Sequence, residues 1–138
     1  MDLTKKYFSK SEEETKQIAF SFSGLLTSET VVYLIGEVGS GKTTFAKSVG
    51  KNFGITDLVS SSYSQVSSYK GKINLIHCDF YRRSCDAATE IEPLLQKPWL
   101  LIMEWPKERL IYNEKKTFFV NILKIGKNTR EFVIERIN

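Results

Sequence analysis

The sequence predicts an α/β fold whose mixed, mostly parallel central sheet lies between layers of helix and carries antiparallel hairpins. Two apolar runs, residues 31–35 and 99–103, have the composition of strands that are buried on both faces. A glycine-rich turn over residues 36–43 follows the first run, and a helical pattern follows the turn. This order of strand, glycine turn and helix is typical of three-layer α/β proteins that bind phosphate.

The N-terminal part predicts a short strand at residues 5–9 followed by an amphipathic helix. Ser11 and Glu14 have the spacing of a capping box, and the acidic side chains of the first turn suit the positive end of the helix dipole. Apolar residues then recur at helical spacing from Ile18 onwards. We expect this helix to end near residues 27–28, ahead of the first buried strand.

Three further elements are predicted in the middle of the chain. Residues 44–54 have apolar residues at helical spacing and finish at a glycine, which is a stop signal. Residues 64–79 predict a β-hairpin, because β-branched and aromatic residues flank a tight Lys-Gly-Lys turn. Residues 86–96 are a weaker helix candidate, since Pro93 interrupts them.

The C-terminal part predicts a second hairpin. Residues 117–125 and 130–137 alternate apolar with polar side chains on either side of a Gly-Lys-Asn turn. Such alternation favours an antiparallel pair with one face in water. Neither a repeat nor a boundary interrupts the pattern, so we expect residues 1–138 to form a single domain.

Composition excludes several classes of protein. The 138 residues are 41% hydrophobic and 26% charged, as in an ordinary globular protein. No apolar run approaches the roughly 20 residues that cross a bilayer, and the N-terminus lacks the apolar segment of a signal peptide. We therefore expect a cytoplasmic protein without a membrane partner. Cys78 and Cys85 are too few for a zinc site, which favours two unbridged thiols.

The net charge of +4 is concentrated in the last quarter of the chain. Residues 105–138 contain eight Lys or Arg and four Asp or Glu, a difference of +4, so the rest of the chain is balanced. This excess permits contact with RNA or with an acidic partner. A solvated basic surface without any partner explains it equally well, and direct contact with tRNA stays open.

The turn at residues 36–43 satisfies the phosphate-loop (P-loop) pattern G-x-x-x-x-G-K-[ST] at every fixed position. Its glycines allow backbone N–H groups to point at a phosphate, and the helix that follows contributes its positive end. Lys42 would reach the β- and γ-phosphates, and the hydroxyl of Thr43 would bind Mg²⁺. We therefore predict a three-layer P-loop nucleoside triphosphatase (NTPase) fold. The predicted nucleotide-binding residues of this segment are Gly36, Val38, Gly39, Ser40, Gly41, Lys42, Thr43 and Thr44.

Two predicted strands end in carboxylates, Asp79 and Glu104. Ligands of open α/β sheets bind beyond the carboxyl ends of the strands, where the P-loop also lies. A carboxylate there can bind Mg²⁺ or orient an attacking water, although an acid at a strand end is more often an ordinary solvent-facing side chain. His77, inside an apolar run, favours a packed and hydrogen-bonded core side chain.

Three functions stay open on the residues alone. The first is a Mg-dependent ATPase that acts as an accessory protein. The second is a small-molecule or nucleoside kinase with Asp79 as the base, although the chain is short for an acceptor site and a lid. The third is a binding module gated by nucleotide that hydrolyses ATP negligibly. A GTPase is disfavoured because no Asn-Lys-x-Asp motif is present.

Three blocks together resemble the TsaE (YjeE) family, namely G-E-V-G-S-G-K-T-T-F at residues 36–45, H-C-D-F-Y-R at 77–82 and M-E-W-P at 103–106. Members are small bacterial ATPases required for the threonylcarbamoyladenosine (t6A) modification of tRNA. The resemblance implies ATP and Mg²⁺ as ligands. It also implies the TsaD–TsaB pair as partner, which transfers the threonylcarbamoyl group while ATP hydrolysis supports repeated turnover.

The resemblance also implies roles for individual residues. Thr43 and Glu104 fall at the Mg²⁺ site, and Asp79 falls at the essential acid near the nucleotide, which makes it a candidate catalytic residue. Three further positions approach the nucleotide. They are Glu12, Trp105 and Arg130.

One segment departs from the family pattern. Where the family usually has Ser-Pro-Thr and an aromatic residue, this chain has Ser-Ser-Ser-Tyr at residues 60–63. Ser62 retains a hydroxyl at the position of the threonine and is a second candidate catalytic residue. Ser61 in place of proline leaves the loop backbone less constrained. We therefore expect slow, partner-dependent hydrolysis of ATP.

Overall fold

A computed structural model describes residues 3–37, 39–59, 66–79, 90–104 and 115–137. These residues form seven strands, two α-helices and one 3₁₀ turn, Glu92–Leu94. In chain order the elements are β1 Leu3–Ser9, α1 Glu12–Ser23, β2 Thr30–Gly36, α2 Lys42–Asn52, β3 Val66–Lys70, β4 Asn74–Asp79, β5 Trp99–Glu104, β6 Lys116–Lys124 and β7 Arg130–Arg136.

All seven strands belong to one mixed sheet, in the order β1-β7-β6-β2-β5-β4-β3. The four central strands β6, β2, β5 and β4 are parallel to one another. The outer strands β7, β1 and β3 are antiparallel to theirs. The α/β fold class, its mixed sheet and its antiparallel hairpins are therefore confirmed. Parallel and antiparallel pairings occur in equal number, three of each.

The two helices cover one face of the sheet. Phe22 of α1 packs edge-on against Phe118 of β6 at a centroid distance of 5.1 Å, and lies 5.6 Å from Phe45 of α2. The opposite face is covered in the described part of the chain by Ile91 with the partly buried Leu94 and Leu95. Each fully buried side chain of this size contributes about 1.5–3 kcal/mol. The core therefore fixes α2, and with it the P-loop, against β2.

Helix α1 begins as predicted and ends earlier than predicted. The hydroxyl of Ser11 accepts the N–H of Glu14, and the carboxylate of Glu14 accepts the N–H of Lys10. The helix ends at Ser23, so the expected end at residues 27–28 is wrong. The backbone N–H groups of residues 24–26 each donate a hydrogen bond to the carbonyl oxygen three residues earlier, as in a 3₁₀ turn. In this turn Leu26 is buried and Leu25 is exposed.

The C-terminal hairpin differs from its prediction on one point. Its two strands pair antiparallel as expected, and the turn lies at residues 126–128. On β7, Phe132 and Ile134 alternate with partly exposed neighbours, as expected. Strand β6 lies between β7 and β2 and is buried on both faces over residues 117–120, whereas Leu123 near its end is exposed. The expectation of one solvent-facing side was therefore wrong for residues 117–120 of β6.

The other predicted elements are confirmed where the structure describes them. Strands β1, β2 and β5, helix α2 and the β3–β4 hairpin occupy the predicted positions, and Gly54 ends α2 with a φ of 78°. Of the helix predicted at 86–96, residues 86–89 lie outside the described part, and residues 90–96 contain the 3₁₀ turn. Within the described residues, no helix has the length and apolarity needed to span a membrane.

Candidate nucleotide-binding site

The P-loop leaves the carboxyl end of β2 and enters α2 through glycines in conformations that other residues avoid. Gly39 has a φ of 79° and Gly41 a φ of 108°, both in the left-handed region. Gly36 is required for a different reason. A Cβ atom at this position would lie 2.6 Å from Oγ of Ser40 and 2.8 Å from the carbonyl oxygen of Ile122. The loop therefore closes tightly over the end of the sheet.

Lys42 lies at the first position of α2 and turns back over the loop. Its Nζ donates hydrogen bonds to the carbonyl oxygens of Gly36, at 2.7 Å, and of Glu37, at 2.9 Å. Burial lowers the pKa of Lys42 below its usual value, against an opposing effect from the charges of Glu104 and Asp79. The ammonium group is thus held inside the loop, within the field of the two carboxylates.

Three polar side chains on the helix-covered face of the sheet come together at its carboxyl edge. His77 and Asp79 are two positions apart in β4, so their side chains lie on the same face of the sheet. Glu104 is the last residue of β5 and pairs with Asp79 in the strand register. His77 is fully buried, Glu104 is buried, and Asp79 is half-buried. Nε2 of His77 makes a hydrogen bond with Oε2 of Glu104. The prediction of a packed, hydrogen-bonded His77 is therefore confirmed, and its partner is a candidate metal ligand.

Arg130, at the start of β7, contacts the other side of the P-loop. Its guanidinium group donates to the carbonyl oxygen of Ser40 at 3.1 Å and to that of Gly39 at 3.3 Å. Further bonds run to carbonyl oxygens of the β6–β7 turn. Two of the five hydrogen bonds of Arg130 thus join the C-terminal hairpin to the loop, and the other three hold its guanidinium group on the hairpin's own turn.

A cavity of about 270 Å³ opens beside the P-loop. It lies between the first turn of α1, the loop, the start of α2 and the C-terminal hairpin. The lining residues are Ser11, Glu12, Thr15, Gly39, Ser40, Gly41, Thr44, Asn128 and Arg130. Six of them are predicted nucleotide-binding residues, although they come from three distant parts of the chain.

The structure divides the predicted site residues into two groups around the loop. Glu12 and Arg130 lie on the side of the cavity, whereas Asp79 and Glu104 lie at the strand ends near Lys42. Val38, Ser62 and Trp105 fall outside the described residues. The sequence analysis did not assign Ser11, Thr15 or Asn128 to the cavity. The sequence predicted Ser11 as a helix cap and Asn128 as part of a turn, but it gave no sign that either residue lines the cavity.

The residues at this edge suit Mg²⁺ that is bound together with phosphate. Among the described residues, no group of three or more His, Cys, Asp or Glu side chains could bind a metal by itself. Mg²⁺ usually takes one or two protein oxygens and completes its shell with phosphate and water. The Thr43 hydroxyl and the Glu104 carboxylate are the two groups that could supply such oxygens. Oγ of Ser40 is also buried without a partner in the described structure, as expected of a loop shaped for a ligand.

A family model described as "Threonylcarbamoyl adenosine biosynthesis protein TsaE" matches residues 9–132, which is most of the chain. The chain belongs to the TsaE family. The match extends from the end of β1 into β7, so it includes the P-loop, both strand-end carboxylates and Arg130. The resemblance inferred from the three sequence blocks is therefore confirmed.

Individual members of the TsaE family align over most of their length. The tRNA threonylcarbamoyladenosine biosynthesis protein TsaE of Nostoc sp. is 30% identical over 131 residues, covering 89% of this chain and 79% of its own. The protein of the same name from Borreliella burgdorferi is 31% identical over 121 residues, covering 84% and 88%. The crystal structure of Bacillus subtilis YdiB superposes with a TM-score of 0.78 and 28% identity, covering 100% of this chain and 88% of that one.

Proposed function

We propose that this protein is a Mg-dependent ATPase that supports the t6A modification of tRNA together with the TsaD–TsaB pair. The observation that carries the proposal is the P-loop, with Gly39 and Gly41 in the left-handed region at the start of a helix. A glycine loop of this form at the start of a helix is the arrangement in which backbone N–H groups and a helix N-terminus bind phosphate anions. Its family members are named for t6A biosynthesis.

The two sides of the loop suggest how ATP is bound. The triphosphate would lie over the loop N–H groups, where Lys42 exchanges its carbonyl partners for phosphate oxygens. The nucleoside would enter the 270 Å³ cavity beside the loop, between Glu12 and Arg130. In this arrangement the γ-phosphate would lie toward the strand-end carboxylates and the base toward the C-terminal hairpin.

The strand-end carboxylates suggest a division of roles. Thr43 and Glu104 would hold Mg²⁺, which neutralises charge that develops on the phosphate oxygens during transfer. Asp79 is half-buried at the end of the adjacent strand, and its carboxylate would accept a hydrogen bond from the attacking water and orient it. Ser62 and Trp105 remain predictions as a catalytic hydroxyl and a nucleotide contact. A role in tRNA modification leads us to expect the protein in the cytoplasm.

The test is ATP hydrolysis by the purified protein at saturating Mg²⁺, alone and with the TsaD–TsaB pair of the same organism. We expect slow hydrolysis alone and faster hydrolysis with the pair. Lys42→Ala should abolish both rates and controls for contaminating ATPases. Tight ATP binding with no response to the pair would contradict the proposed partnership, and a phosphorylated metabolite in the same assay would indicate a kinase with Asp79 as base.

A further inference from the structure

The contact between His77 and Glu104 is built into two adjacent parallel strands. In the register of β4 with β5, His77 pairs with Ile102 and Asp79 pairs with Glu104. His77 is therefore the diagonal neighbour of Glu104 on the helix-covered face, and the two side chains meet where the sheet is most completely buried. Both side chains extend from central strands of the sheet, whose register sets the separation of their backbones.

The direction of this hydrogen bond follows from the chemistry of its partners. A carboxylate that binds a metal only accepts hydrogen bonds, so in that role of Glu104 the Nε2–H group of His77 is the donor and Oε2 the acceptor. The other ring nitrogen, Nδ1, is buried without a hydrogen-bond partner in the described structure. A histidine retained only to satisfy the core would use both nitrogens, because an unpartnered buried polar atom is costly. The single contact to Glu104 is therefore the principal polar interaction of this ring.

We propose that His77 is a positioning residue for Glu104, which fixes the carboxylate in the orientation that binds Mg²⁺. The inference rests on the proposed function, since it assumes that Glu104 is a metal ligand. The bond to His77 engages Oε2 and leaves Oε1 as the oxygen that would bind the metal. Residues that hold metal ligands in this way typically change metal affinity by about 10- to 100-fold when they are replaced.

The test uses two substitutions at position 77 and measures binding rather than turnover. His77→Leu removes the donor, and His77→Gln retains an amide donor that reaches a similar position to Nε2. The affinity for a fluorescent ADP analogue is measured with Mg²⁺ and with EDTA. We expect His77→Leu to lose about 10- to 100-fold of the Mg²⁺-dependent affinity and little of the affinity in EDTA. His77→Gln should recover most of the loss.

A control and a second pair of variants separate this role from a structural one. Ile76→Val alters the same strand on its opposite face and should leave the Mg²⁺ dependence unchanged. If His77→Leu does not fold, the Mg²⁺-dependent ADP affinities of His77→Gln and His77→Asn are compared instead. His77→Asn should bind more weakly than His77→Gln, because the shorter amide does not reach Glu104. Equal losses with Mg²⁺ and with EDTA, or no loss at all, would overturn the positioning role alone. A wild-type protein whose ADP affinity ignores Mg²⁺ would overturn the metal site as well.

Discussion

Asp79 and Glu104 are register partners at the carboxyl ends of two adjacent parallel strands. Their charges oppose the effect of burial on Lys42, whose pKa nevertheless stays below its usual value because desolvation is the larger effect. Two acids and one ammonium group therefore face one another where the P-loop meets the sheet. The strand register creates this arrangement, and it permits the two carboxylates to have different roles.

Substitution of the two carboxylates should separate metal binding from hydrolysis. Glu104→Gln should weaken ADP binding in Mg²⁺ much more than in EDTA, because a neutral amide is a poor ligand for Mg²⁺. Asp79→Asn should leave Mg²⁺-dependent ADP binding within about threefold and slow hydrolysis about 100-fold, the usual effect of a group that orients or accepts a proton. Isothermal titration calorimetry measures ADP binding, and a phosphate-release assay measures ATP hydrolysis. The same profile for the two variants would contradict separate roles.

Removal of the P-loop ammonium group should reduce nucleotide affinity. Lys42→Ala deletes the donors that would bind the β- and γ-phosphates, and charged hydrogen bonds of this kind are worth about 1.5–3 kcal/mol each. The loss of one such bond corresponds to a fall in ATP affinity of about 10- to 100-fold, and we expect a fall of at least this size. Lys47→Ala removes the same charge from an exposed position of α2 and serves as the matched control. Unchanged affinity in Lys42→Ala would remove the basis of the phosphate site.

The first glycine of the loop should be intolerant of a methyl group. Gly36→Ala places a Cβ atom within 3 Å of Ser40 Oγ and of the backbone oxygen of Ile122, so a central strand or the loop must shift. Overpacking of this kind costs about 1–3 kcal/mol of the free energy of unfolding. Urea titration should detect this cost. Gly126→Ala is the control, because its nearest neighbour atoms lie 3.6 Å away and no loss is expected.

The bonds from Arg130 should order the P-loop before nucleotide binds. Arg130→Ala removes the donors to the carbonyl oxygens of Gly39 and Ser40, and we expect the Ser40 amide to exchange its hydrogen roughly tenfold faster. Lys127→Ala removes an equal charge from the exposed turn of the same hairpin. Hydrogen exchange followed by mass spectrometry compares the variants. Identical exchange in the three proteins would show that the loop is ordered without Arg130.

One ion pair outside the site predicts a dependence of stability on pH. The hydrogen bond from Lys115 to Glu29, at 2.7 Å, together with the charges of Lys115 and Lys97, lowers the pKa of Glu29 from its usual 4.5. A lowered folded pKa stabilises the protein above pH 4.5, and this stabilisation is lost as the pH falls through the folded value.

Substitution of this carboxylate should therefore have an effect that depends on pH. Glu29→Gln should unfold more easily than wild type at pH 7, and the two proteins should converge in acid. Thermal unfolding between pH 3 and pH 7 measures the difference, and Asp57→Asn, at an exposed carboxylate, is the control. A difference between Glu29→Gln and wild type that persists unchanged in acid would exclude the ion pair as its cause.

Local patterns in the sequence predicted most elements because their causes are local. The cap at Ser11, the glycines of the P-loop and the left-handed Gly54 each act within a few residues. The two wrong predictions, for the end of α1 and for the burial of β6, concern features that depend on contacts with distant parts of the chain. Helix α1 stops at Ser23, after which Leu26 packs into the core, and residues 117–120 of β6 are buried on both faces because the strand lies between the two core clusters. Neither contact has a signal in the neighbouring sequence.

The sequence by itself determined the phosphate-binding loop, the family and the presence of acids at two strand ends. The tertiary structure alone decided which side chains meet there. Parallel pairing of β4 with β5 brings His77 to Glu104, although 27 positions separate them in the chain. Packing of α1 and the C-terminal hairpin brings Glu12 and Arg130 to one cavity. Local propensity depends on neighbours in the chain, whereas strand register and packing depend on contacts across it.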